Sequence, residues 1–110
     1  MTIRERIDHI RNELANQPPA DTLTVSDHIV RLTAILGNVH DEMSGWERAY
    51  IARYHNLITE NPKMAADKLK ILAMDTESYH KLQEAKRYSE LVLEMIGGLK
   101  YRSRALQGEW

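Results

Sequence analysis

Three features of the sequence predict an all-α protein: an elongated helical hairpin of two long helices with two short ones, forming a bundle by self-association. Apolar residues recur at steps of three and four along most of the chain. Prolines and capping residues fall where that rhythm stops. No segment alternates with the period of two that a half-buried strand shows. At 110 residues the chain has room for a single domain, 1–110.

The first helix is expected over 3–15. Thr2-Ile3-Arg4-Glu5 has the form of a capping box, and Ile3, Ile7, Ile10 and Leu14 follow at helical spacing. Asn16-Gln17-Pro18-Pro19 ends it, because proline cannot continue the hydrogen-bond ladder and constrains its predecessor. Residues 16–23 are then a linker.

A long helix follows over 24–60, capped by Thr24 or Ser26 with Asp27 in its first turn. Val25, Ile29, Leu32, Leu36, Val39, Met43, Trp46, Tyr50, Arg53 and Leu57 alternate steps of four and three, which is the seam of a coiled coil. Arg53 is its one polar member, and Tyr54 stands beside it to take over the contact. Gly37 and Gly45 each cost about 1 kcal/mol relative to Ala. Ser44-Gly45-Trp46-Glu47 resembles a second capping box, which would suit a kink or restart there. The seam keeps its phase through both glycines, however, which favours one long helix.

Asn61-Pro62 reads as an N-cap followed by proline at the first helical position. A short helix over 62–73, with Met64, Leu69 and Leu72 among its apolar positions, should follow. Asp75-Thr76 caps a second long helix over 76–107. Its stripe holds Leu82, Ala85, Tyr88, Leu91, Val92, Met95, Ile96, Leu99 and Leu106, broad enough to touch more than one neighbour. Gly97-Gly98 lies within it, as a bend or as a close crossing of two backbones.

A helix from Val25 to Leu57 would be about 50 Å long at 1.5 Å per residue. Helices of that length outreach a compact globule of this size. The sequence therefore predicts a dimer or higher homo-oligomer that covers the surplus apolar stripe. Leu32, Leu36, Val39, Met43, Trp46, Tyr50, Val92, Met95 and Leu99 are the candidate oligomer or partner interface.

Composition narrows the class. Hydrophobic residues at 43% and charged residues at 28% suit a folded domain rather than a disordered chain. Five Tyr, two Trp and no Phe favour half-buried seams and contact surfaces over a dry interior. With no Cys there is no disulfide, thiol nucleophile or Cys-based zinc site. The start lacks a secretory h-region, and no apolar run reaches the roughly 20 residues of a membrane span. A cytoplasmic protein is expected, in the host cytoplasm if phage-encoded, with no membrane contact.

The search for chemistry excludes more than it finds. Glu77-Ser78-Tyr79-His80 has the Glu-x-x-His spacing of a di-iron bundle, but the second copy such a site needs is missing. At the start of a helix Glu77 also has a dipole to stabilise. His40-Asp41-Glu42 is acidic, yet adjacent residues on a helix point different ways. No Gly-x-Ser-x-Gly elbow or phosphate-cradling Gly-rich loop occurs. No enzyme, metal site or cofactor is therefore expected.

Charge is uneven: residues 1–60 are net acidic and use only Arg as cation, while 61–110 are net basic. Lys100-Tyr101-Arg102-Ser103-Arg104, with Lys81, Lys86 and Arg87 earlier on the same helix, could neutralise phosphates while Tyr101 stacks on a base. The same cations would complement the dipole at a helix C-terminus and cover apolar surface with their stems. Single-stranded nucleic acid is thus the alternative partner. Trp110, at the chain end, is a further candidate contact.

The stretch from Trp46-Glu47-Arg48-Ala49-Tyr50 through Leu99-Lys100-Tyr101-Arg102-Ser103-Arg104-Ala105-Leu106-Gln107 resembles small helical accessory proteins of tailed phages, which often accompany recombination and single-strand-annealing genes. The shared features are an aromatic-rich helix, a short helical connector and a closing helix ending in this basic phrase. The resemblance implies a phage origin and a non-catalytic accessory role, and it brings no ligand residues. The expected function is binding another protein, either a recombination or replication factor or a host enzyme to be inhibited.

Overall fold

The computed structural model describes residues 1–108. It is all-α, with α1 at Ile3–Asn16, α2 at Thr22–Glu60, α3 at Ala66–Met74 and α4 at Glu77–Gln107, and no strand among the described residues. Trp110 lies outside the described residues.

Local hydrogen bonding explains where each helix starts. At α1 the capping box forms as its residue types require: Thr2 Oγ1 accepts from the Glu5 N–H at 3.1 Å, and the Thr2 N–H donates to Glu5 Oε1 at 3.4 Å. α2 begins at Thr22, earlier than expected, because Asp21 is its cap. The Asp21 Oδ1 accepts from the Thr24 N–H at 2.7 Å. A carboxylate meets the positive end of the helix better than the Thr24 or Ser26 hydroxyl would.

The start of α3 also departs from the expected Pro62. The Asn61 side chain donates through Nδ2 to the Leu57 carbonyl at 3.0 Å, and its backbone N–H bonds the same oxygen at 3.0 Å. Asn61 therefore closes α2 instead of opening α3. Pro62 and Lys63 sit in the turn that follows, in which the Met64 N–H donates to the Asn61 carbonyl at 3.1 Å. Thr76 opens α4 by accepting from the Tyr79 N–H at 3.4 Å.

Both long helices run unbroken through their glycines. A Cβ placed on Gly37, Gly45, Gly97 or Gly98 would meet nothing within 4 Å. The close backbone crossing considered at Gly97-Gly98 is therefore not there.

The chain forms two compact units. The first comprises residues 1–39 and the chain from Tyr88 onward. Ile7 and Ile10 of α1, Val25, Leu32, Ile35 and Val39 of α2, and Val92, Ile96 and Leu99 of α4 are its buried apolar residues. The second comprises His40–Arg87. There Leu57, Leu69 and Ala73 form a buried cluster, with Tyr50, Tyr54 and Met64 packed against it. Tyr50 links two helices of this unit, its ring 5.5 Å from that of Tyr79 and 6.2 Å from that of Tyr54.

The buried face of α2 in the first unit is rotated from the expected seam. Val25, Leu32 and Val39 are buried, but their companions are His28 and Ile35, while Ile29 and Leu36 are only half-buried. In the second unit Tyr54 does replace Arg53, which points outward to within 3.8 Å of Glu60. Leu72 of α3 faces solvent rather than the core.

Candidate functional site

The nine residues expected at an interface divide into two groups. Leu32, Val39, Val92 and Leu99 lie in the first unit's own core, the first three with no exposed surface, so they offer nothing to a partner. Leu36, Met43, Trp46, Tyr50 and Met95 are half-buried and keep part of their surface in solvent.

The exposed apolar surface lies mostly elsewhere. Leu23 and Val30 on α2 are exposed in the first unit, as is Leu93 on α4. In the second unit Ile51 and Ile58 are exposed, along with Ile71, Leu72 and Met74 of α3. Residues seven apart share a helix face, so Ile51 and Ile58 belong to one stripe. That pairing was legible in the sequence but hidden by the stronger heptad beside it.

The Lys and Arg residues of α4 are all at the surface, Lys81, Lys86 and Arg87 in the second unit and Lys100, Arg102 and Arg104 in the first, and Tyr101 is exposed among the latter. Arg102 is partly engaged, donating from Nε to the Pro19 carbonyl at 3.2 Å. Lys100 and Arg104 stand one turn apart, on the same side of the helix.

A polar centre not anticipated from the sequence joins α1 to α2. The Glu13 carboxylate accepts from Arg31 Nη1 at 2.7 Å and Nη2 at 3.4 Å. His9 Nε2 is 2.9 Å from the same carboxylate, and His28 Nδ1 is 4.0 Å away. The hydrogen bond from Arg31 is the chief cause that holds the Glu13 carboxyl below its ordinary range. Asp21 is held low too, first by the backbone N–H of Thr24. The spacing His9/Glu13 and His28/Arg31 was the available signal, since each pair shares a helix face.

Glu13, Asp21, Thr24 and His28, with Gln17, Pro18, Pro19 and Ala20, line a cleft of about 570 Å³. His28 is only 7% exposed, and its Nδ1 is buried without a hydrogen-bond partner.

His80 Nε2 lies 4.0 Å from Asp75 Oδ1. Among the described residues no group of three or more His, Asp or Glu could hold a metal ion. No helix among them is long and apolar enough to cross a membrane. No family model, curated protein or solved structure matches the chain.

Proposed function

We propose that the chain is a non-catalytic helical interaction protein that self-associates and binds another protein. Its resemblance to tailed-phage accessory proteins suggests a recombination or replication factor, or a host enzyme, as that target. One observation carries the reading: Ile51, Ile58, Ile71, Leu72 and Met74 are exposed in a single compact unit. An exposed large apolar side chain favours a covering partner, because covering it removes apolar area from water. In this reading the interface draws on the exposed residues of α3 and the Ile51/Ile58 stripe of α2 rather than on the heptad seam.

Light scattering from low to high micromolar concentration tests the self-association. The intact chain should show a dimeric or larger mass. The double variant Ile58→Lys, Ile71→Lys should be monomeric with unchanged helical circular dichroism. A monomeric mass for the intact chain at every concentration overturns self-association.

A second reading rests on the exposure of Lys100, Tyr101, Arg102 and Arg104 along the last turns of α4. These residues could follow a single-stranded nucleic acid, with Tyr101 stacking on a base. Anisotropy of a labelled oligonucleotide should then rise at low salt and fall steeply as salt increases. No binding at low salt ends this reading.

A further inference from the structure

In the first unit the exposed face of α4 carries a charge pattern that reverses about Gly97. Residues three, four and seven positions apart share a helix face. Three positions either side of Gly97 stand Glu94 and Lys100, and seven positions either side stand Glu90 and Arg104. Four positions either side stand Leu93 and Tyr101, both more than half exposed. Among the described residues the ion pairs use other side chains, so none of these four charges is engaged within the chain.

Such a pattern is complementary to itself. A twofold axis through Gly97, perpendicular to α4, sets the α4 of a second copy antiparallel and brings each residue to its counterpart. Glu94 then faces Lys100 of the second copy, Glu90 faces Arg104, and Leu93 and Tyr101 cover each other, every contact occurring twice. A parallel pairing would instead set Glu94 against Glu94 and Lys100 against Lys100, which like charges oppose. Gly97 sits at the crossing point, and nothing lies within 4 Å of where its Cβ would be. The close backbone crossing that is absent within the chain is thus open between two copies.

We propose that this face is a twofold contact with a second copy of the chain, α4 against α4, antiparallel and centred on Gly97. It rests on the self-association put forward above and gives that association a second surface, separate from the α3 face. A contact one helix wide and about 21 Å long belongs with the small, readily reversible interfaces. By itself it is weak, and it adds to the α3 face in larger assemblies.

Intermolecular NMR reads this contact at about 1 mM protein and low salt, where associations too weak for scattering are populated. The full chain carries Ile58→Lys and Ile71→Lys to silence the α3 face, so this measurement and the mass measurement above can fail separately. Half of the sample is ¹⁵N-labelled and half bears a nitroxide at Gln107→Cys, the chain having no other Cys. Gln107 is the exposed last residue of α4, and the pairing sets it opposite Arg87 of the second copy. Amide signals from Arg87 to Glu90 should lose intensity most, with the loss falling off toward Lys100. Glu94→Lys in both copies should weaken the contact at least about ten-fold, because two attractive pairs become repulsive. Lys100→Glu in both copies should do the same. Spin-labelled Glu94→Lys mixed with ¹⁵N-labelled Lys100→Glu should recover the parent pattern, since every lysine again meets a glutamate. The proposal is overturned if the parent shows no loss, if the loss centres on Arg104, if either single reversal leaves it unchanged, or if the mixture fails to recover it.

Discussion

Arg31 grips Glu13 from the neighbouring helix, its Nη1 2.7 Å from Oε2 and its Nη2 3.4 Å from Oε1. Two donors in a planar fork match the two oxygens of a carboxylate, so the contact fixes geometry as well as charge. His9 approaches the same carboxylate from within α1. The pair is partly open to solvent, so its effect should be seen more clearly in titration than in total stability.

Glu13 should therefore titrate below its ordinary value of 4.5. A carboxyl depressed on folding stabilises the fold fully above its unfolded pKa, and that contribution disappears as pH falls through the folded one. In Arg31→Met the Glu13 titration should move up toward 4.5, as read from side-chain carboxyl ¹³C shifts. An identical titration curve in the variant would show that Arg31 is not the cause.

Thr2→Ala should remove the α1 cap and destabilise the chain by about 1 kcal/mol. Urea unfolding measures the loss, and the Glu5 amide should exchange faster, since its N–H bonds Thr2 Oγ1. Unchanged exchange at Glu5 would contradict the capping geometry.

Leu32→Ala should cost about 2–5 kcal/mol, a large share of the roughly 5–15 kcal/mol that holds a domain together. Leu32 has no exposed surface, so its removal leaves a cavity. Ile51→Ala, at an exposed position, should stay within about 0.5 kcal/mol under conditions where the chain is monomeric. Comparable losses for the two would contradict the burial pattern.

Gly45→Ala should raise stability by about 0.5–1 kcal/mol. The residue lies within α2 with open space where a methyl would go, and alanine loses less backbone entropy there. A melting temperature lower than that of the parent would mean that the flexibility of glycine is needed.

Much of the fold could be read from local chemistry. The Thr2/Glu5 box, the unbroken course of α2, the stripe of α4 and the handover from Arg53 to Tyr54 all depend on residues within a turn or two of each other. The departures arise where two roles compete for one residue. Asn61 can open a helix or close one, and the Leu57 carbonyl, which accepts from both its backbone N–H and its Nδ2, decides it. Asp21 outcompetes two hydroxyls a few positions later. His28 and Ile35 adjoin Ile29 and Leu36 on the helix surface, so the heptad cannot say which column faces inward. Their burial depends on where α1 and α4 pack in the first unit, and no spacing along α2 encodes that. The Glu13 centre stayed hidden for the same reason: its partners come from two helices.

The two cores are closed by very different loops. The one around Leu57, Leu69 and Ala73 draws on a continuous stretch of chain, so a nascent polypeptide leaving the ribosome carries all its parts before synthesis ends. The one containing Val25 and Val92 needs both ends, and it cannot be completed until the last helix has been made. Until then α1 and the early part of α2 are exposed without their α4 partner, and ring closure over that long separation is the slower event. A transcript cut short after Arg87 would yield one finished nucleus and one set of apolar faces open to aggregation.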